Sequence, residues 1–154
     1  EDYGFNIEYH PKPVTGDWNG SGLHCNFSNT KMREEGGKQY FDAIFKTFES
    51  RHMEHIKCYG SSNDMRLTGD HETQSIHKFS WGVSDRGASI RVPISTEKEW
   101  KGYVEDRRPA SNADPYRIIN IINESIINGS WFMAHGSSTI KWIGPAPLAM
   151  SHEP

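Results

Sequence analysis

The chain has 154 residues, a formal net charge of -3 and 24% charged side chains. That length suits one domain, the mild acidity excludes general binding of nucleic acid or other polyanions, and no run of about 18 apolar residues is present to span a membrane. Hydrophobic residues make up only 34% and the mean hydropathy is -0.75, so the core is expected to lean on aromatic residues and on a further chain or domain.

Cys25 and Cys58 are too few for a disulfide framework and form no CxxC pair. A reducing compartment, cytoplasm or organelle interior, is the expectation. The chain opens with EDYGFNIEYH, which has no Met, no basic start and no apolar signal core. That start is expected of a processed or trimmed chain, or of part of a longer one.

In chain order, GFNIEYHPKPV alternates Phe5, Ile7 and Tyr9 with polar neighbours and predicts a half-buried strand ended by prolines. TGDWNGSG is turn chemistry, and LHCNFSN predicts a short strand. GGKQYFDAIFKTFESRHMEHIKCYG carries Tyr40, Phe41, Ile44, Phe45, Phe48 and Ile56 at helical spacing. His52 and His55 sit three apart there and are expected on a polar helix flank rather than as a metal pair. FSWGV, ASIRVP and WKGYVEDRR predict three more strands. DPYRIINIINESIIN predicts a helix with Asp114 as N-cap and Pro115 at its first position. Strands followed by helices point to an α+β fold with an antiparallel sheet. Residues 1–128 are taken as the domain and 129–154, rich in Gly, Ser and Pro, as an irregular extension.

Four clusters carry candidate chemistry. On the strand around His24, Asn26 and Ser28 share its face, because strand side chains repeat every two residues. The preceding glycine-rich turn would let a ligand approach the backbone closely. RLTGDHET places Arg66 before a glycine loop bearing His71 and Glu72, and mobile loops commonly supply acids and bases. In DRGASIRVP, Arg86 and Arg91 flank small residues and could grip a phosphate from two sides. In GYVEDRRPASNADPY, Glu105 and Arg107 share one face of a strand while Asp106 and Arg108 point the other way and brace it. Each cluster alone is also compatible with ordinary structural roles: a satisfied histidine, a charged turn or paired surface arginines.

Together, PKPVTGDWNGSGLHCNFSNTKMREEGG, RHMEHIKCYG, NDMRLTGDHET, GVSDRGASIRVP and GYVEDRRPASNADPY resemble the catalytic domain of glutamine synthetase of the eukaryotic type, in order and register. The resemblance covers most of residues 4–118. It implies the C-terminal part of that family's half-barrel, which is similar to guanido kinases, and ATP-dependent ligation of ammonia to L-glutamate through a γ-glutamyl phosphate. Mg²⁺ or Mn²⁺ would be the cofactor, with ATP as a substrate, in an oligomeric assembly. Carried over by residue, His24 and Glu105 are expected as metal ligands, and Trp18, Asn19, Gly20, Arg66 and Arg107 in the glutamate site. Asn26, Phe27, Ser28, Arg86 and Arg91 are expected at the nucleotide, with Arg86 also contacting the transferred phosphate. Glu72 is expected as the loop carboxylate that closes the site and takes a proton from ammonium.

Asp85 departs from the family, which has Asn there; it could pair with Arg86 or turn away. The family's further carboxylate ligands come from sequence preceding this stretch. Against the roughly six oxygen-type ligands such cations take, a second chain or domain is expected to complete the site. The alternative is a non-catalytic structural subunit derived from the same enzyme.

Overall fold

The computed structural model describes residues 2–135. Strand β1 (Cys25–Phe27) leads through α1 (Thr30–Glu34) into α2 (Lys38–Ser50) and α3 (His52–Cys58). Asn29 caps α1, its side-chain oxygen accepting from the Met32 N–H at 2.7 Å. A 3₁₀ turn (Asn63–Met65) and a long loop precede β2 (Trp81–Val83), β3 (Ile90–Val92), α4 (Ile94–Glu99), β4 (Val104–Asp106) and α5 (Pro115–His135).

The strands form one sheet in the order β1-β4-β3-β2. β4 runs antiparallel to both β1 and β3, whereas β2 runs parallel to β3. The sheet is therefore mixed rather than wholly antiparallel, and residues 84–89 make the return between the parallel strands. Such a return is shorter than the crossovers usual for parallel pairs, and it turns through Ser84 at φ 52°.

One face of the sheet is apolar. Ile90, Val92 and Val104 are fully buried there against Phe41, Ile44 and Phe48 of α2 and Ile118, Ile121, Ile122 and Ile126 of α5. The Phe27 ring stacks on Phe48, with centroids 5.2 Å apart. Burying a side chain of this size is worth roughly 2–3 kcal/mol by area. The aromatic residues thus offset the low aliphatic content within this chain.

The helical stretch is interrupted at Arg51 (φ -100°, ψ 13°), which separates α2 from α3. That break lets His52 and His55 turn inward, 7% and 0% exposed, so they are not a polar flank. α5 begins as expected, the Asp114 carboxylate accepting from the Tyr116 N–H at 2.9 Å. It continues past Asn128, where the sequence placed its end, to His135; the rest of the expected extension lies outside the described residues. Residues 5–9 form no strand: Phe5, Ile7 and Tyr9 are exposed without ladder partners.

Candidate functional site

The alternation of β4 builds two different environments. Glu105 lies opposite both Asn26 of β1 and Arg91 of β3, and residues paired across a ladder share a face. These side chains stand on the face away from the helices. His24, just before β1, and Arg107, just after β4, extend the same row.

His24 and Glu105 touch, with Nδ1 and Oε1 3.0 Å apart. Burial, then Arg107 and Arg66, lower the His24 pKa, so the ring is neutral at neutral pH. Its Nε2 faces the Arg66 guanidinium at 3.1 Å. A guanidinium can only donate, so Nε2 accepts and Nδ1 carries the proton to Glu105. The other arginines meet the same carboxylate. Arg91 Nε is 2.6 Å from Oε2 and Arg107 Nη1 is 3.2 Å from Oε1. The Arg91 contact is close but poorly aligned, and its Nε and Glu105 Oε2 are both buried without a hydrogen bond.

Arg66 is 4% exposed. Its guanidinium donates to Asn63 Oδ1 at 3.2 Å, to the Arg107 carbonyl at 2.7 Å and to the Arg108 carbonyl at 3.2 Å. No carboxylate contacts it among the described residues, and burial, then Arg107, pull its pKa down to about 10. The glycines before His24 serve this arginine: a Cβ on Gly20 would lie 2.9 Å from its Cγ. The close approach expected there of a ligand is made by Arg66.

The Glu72 loop folds over the row. The Glu72 carboxylate accepts from Arg86 Nη1 at 3.2 Å, and its carbonyl accepts from Arg107 Nη2 at 3.3 Å. Arg107 Nε also donates to the Arg86 carbonyl at 3.0 Å. His71 and Glu72 both hold left-handed backbone, φ 52° and 60°. That conformation costs non-glycine residues roughly 1–2 kcal/mol each, so the surroundings must hold the loop in place. Arg86 reaches Glu72 rather than the His24–Glu105 pair. Asp85 does not pair with Arg86; its carboxylate accepts from the Gly87 N–H at 2.8 Å and closes its own turn.

The remaining expected residues spread further. Asn26 is exposed on the polar face, and Ser28 donates to the Gly102 carbonyl at 2.7 Å. The Phe27 ring lies in the core, so only its backbone can face a ligand. Trp18, Asn19 and Gly20 line a separate open hollow of about 440 Å³ with Lys12. Trp18 donates from its indole to the Val14 carbonyl at 3.2 Å.

No family model matches the sequence. The chain is 56% identical over 129 residues to glutamine synthetase of Emericella nidulans, covering 84% of this chain and 36% of the relative. It is 55% identical over 126 residues to glutamine synthetase of Saccharomyces cerevisiae, covering 82% and 34%. The chain belongs to the glutamine synthetase family. It spans about a third of the length of these curated relatives. The fold agrees: a glutamine synthetase from Plasmodium falciparum superposes with a TM-score of 0.58 at 21% identity, over 79% of this chain and 25% of that one.

His24 and Glu105, the pair that the family resemblance marks as cation ligands, lie side by side on this face. Their 3.0 Å contact is a hydrogen bond from a protonated Nδ1, and Nε2 faces Arg66, so neither ring nitrogen has a free lone pair in this arrangement. A neutral imidazole is the ligating form. Yet no group of three His, Cys, Asp or Glu side chains able to hold a metal occurs among the described residues.

Behind β4 lies a second polar cluster that the sequence signalled only through Asp106 and Arg108. Both are buried, at 0% and 1%. Arg108 donates from Nε and Nη2 to the two Asp106 oxygens at 2.9 and 2.7 Å. Tyr59 donates to Asp106 Oδ2 at 2.6 Å. Burial alone would raise the Asp106 pKa, but Arg108 outweighs it and holds the carboxyl below its ordinary value. Arg108 further reaches His52 Nδ1 at 3.0 Å, and His55 bridges the Tyr59 and Ser125 hydroxyls at 2.6 and 2.8 Å. The three-residue spacing of His52 and His55 was visible in the sequence; their partners, far away in the chain, were not.

Proposed function

We propose that this chain is the C-terminal part of a glutamine synthetase active site, working with a second chain or domain that supplies the rest. The observation that carries the reading is the convergence of His24, Glu105, Arg91 and Arg107 on one sheet face. One carboxylate there faces several cations, a balance suited to anions. Mg²⁺ or Mn²⁺, held in part by His24 and Glu105, would screen the ATP phosphates when bound. Arg107 and Arg91, released in part from Glu105, would hold the γ-carboxyl of L-glutamate and the nucleotide phosphates, and Arg86 the phosphoryl group in transfer. Arginine suits these roles because it stays charged at any working pH and binds with a rigid planar fork. Cation binding would require Arg66 to release His24 Nε2, which would then offer its lone pair while Nδ1 keeps its proton on Glu105. Glu72, on a loop over the row, would exclude water from the acyl phosphate and accept a proton from ammonium. Ammonia would then displace phosphate and leave glutamine.

The second reading, a structural subunit without catalysis, is favoured by the small donor set: His24 and Glu105 alone cannot complete an octahedral cation site. The test is reconstitution. The isolated chain, given ATP, Mg²⁺ or Mn²⁺, glutamate and ammonia, should form no glutamine. Mixed with a polypeptide supplying the rest of a family-length protein, it should form a complex that does. Turnover by the isolated chain would overturn the divided-site reading. A stable complex that makes no glutamine would favour the structural one.

A further inference from the structure

The Glu72 loop leaves and rejoins the fold through a narrow neck, where the Ile76 N–H donates to the Leu67 carbonyl at 2.9 Å. Both sides of this neck are tied to the end of β4. On the entering side, Arg66 donates to the carbonyls of Arg107 and Arg108. On the returning side the connection runs through His52. Its Nε2 is 2.9 Å from the Ile76 carbonyl and its Nδ1 is 3.0 Å from Arg108 Nη1.

The chemistry of these partners fixes the tautomer. A carbonyl can only accept, so Nε2 carries the proton, and a guanidinium can only donate, so Nδ1 receives. Each ring nitrogen thus has one partner, and exchanging their roles would break both bonds. The ring also packs edge-on against Phe79, with centroids 6.0 Å apart. Arg108 is itself locked to Asp106, so the tie ends on a rigid strand. Arg107, whose own carbonyl Arg66 holds, donates to the Glu72 carbonyl at the loop's tip.

We infer that His52 is a positioning residue: it ties the returning stem of the Glu72 loop, at Ile76, to the strand that carries Glu105 and Arg107. Through it the loop's resting place over the row is set from the opposite side of the sheet. The loop's part in catalysis rests on the proposed function; the mechanical tie does not.

The test uses hydrogen exchange on the full chain, which needs no catalysis. Two substitutions divide the tie. His52→Asn places an oxygen near the position of Nδ1 and keeps an acceptor for Arg108, but is too short to reach Ile76. His52→Gln reaches the position of Nε2 and keeps a donor for the Ile76 carbonyl, while its amide oxygen still offers Arg108 an acceptor. Losing a hydrogen bond of ordinary strength shifts a local opening equilibrium about fivefold. His52→Asn should therefore speed exchange at residues 67–77 about fivefold and leave α2 and α5 unchanged, while His52→Gln stays near the parent. Equal exchange in the two variants, or parent-like exchange in His52→Asn, overturns the inference. So does a variant whose exchange rises equally in α2 and in the loop, because the ring would then belong to the general core. In the reconstituted enzyme, His52→Asn should lower kcat for glutamine more than it raises KM for ATP, with His52→Gln restoring it. Absence of glutamine from the parent complex would count against the proposed function, while the exchange result would still decide the tie.

Discussion

His55 should make the stability of this chain fall with acidity well above the range where carboxylates titrate. Its ring is fully buried. Burial, then Arg108, lower its pKa to about 3. Tyr59 donates to Asp106, so its Oη accepts from His55 Nδ1 at 2.6 Å, the shorter of the two Nδ1 contacts (Arg108 Nη2 lies at 3.3 Å), and Nε2 accepts from Ser125. A second proton would have to enter at Nε2, in place of that acceptor, and would charge a ring whose Nδ1 side already faces Arg108 Nη2 at 3.3 Å. In the unfolded chain the same imidazole titrates near its ordinary value, about 6.5. The folded pKa is depressed, so the unfolded state binds the proton first. The full contribution is present above about pH 6.5 and is lost as pH falls from there, until about pH 3. The slope is about 1.4 kcal/mol per pH unit, and between pH 7 and pH 5 the loss is about 2 kcal/mol. His52 and His24, lowered as well, act with the same sign. Urea unfolding followed by circular dichroism at pH 7, 6 and 5 measures the slope. His55→Gln keeps hydrogen-bonding capacity but does not titrate, so its loss over the same range should be smaller by about 2 kcal/mol. Identical slopes for parent and variant, or a titration of the His55 imidazole itself near pH 6 in the folded chain, would refute the argument.

Asp106→Asn leaves Arg108 charged and buried without its carboxylate, and should cost about 3–5 kcal/mol in urea unfolding. A loss under about 1 kcal/mol would mean that water reaches the pair. Glu72→Ala, at a half-exposed loop position, should change stability little. It should lower glutamine formation by the reconstituted complex about 10²–10⁴-fold while acyl phosphate formation persists. An unchanged rate in an active complex would remove Glu72 from the chemistry.

The opposite facing of Glu105/Arg107 and Asp106/Arg108 was legible because a strand has one periodicity and four successive charged residues leave little room to misread it. The pairing of His24 with Glu105 was legible only through the family motifs, since 81 positions separate them. Other features failed for physical reasons. Phe5, Ile7 and Tyr9 alternate as a half-buried strand would, but alternation specifies a face and not the strand that pairs with it. His52 and His55 looked like a helix flank because the pattern gave no sign of the break at Arg51, which rotates both inward. The glycines before His24 read as room for a ligand, and nothing in the sequence signals that the Arg66 side chain packs against them. The parallel pairing of β2 with β3 depends on how residues 84–89 return, and a short small-residue stretch fits a hairpin equally well.

The same alternation joins fold and candidate function in β4. A buried Arg–Asp pair often adds little net stability compared with apolar residues of similar volume. Here the pair has a further consequence, because its two members alternate with Glu105 and Arg107. Locking Asp106 and Arg108 from behind fixes the backbone from which the front pair projects. Arg66 grips the carbonyls of residues 107 and 108, and His52 carries the Arg108 anchor to the loop. Moving β4 relative to the helices would therefore disturb the His24–Glu105 contact and the seat of the Glu72 loop together. The chain thus holds its cation-rich face from two sides, so that the front pair cannot shift without straining the buried pair behind it.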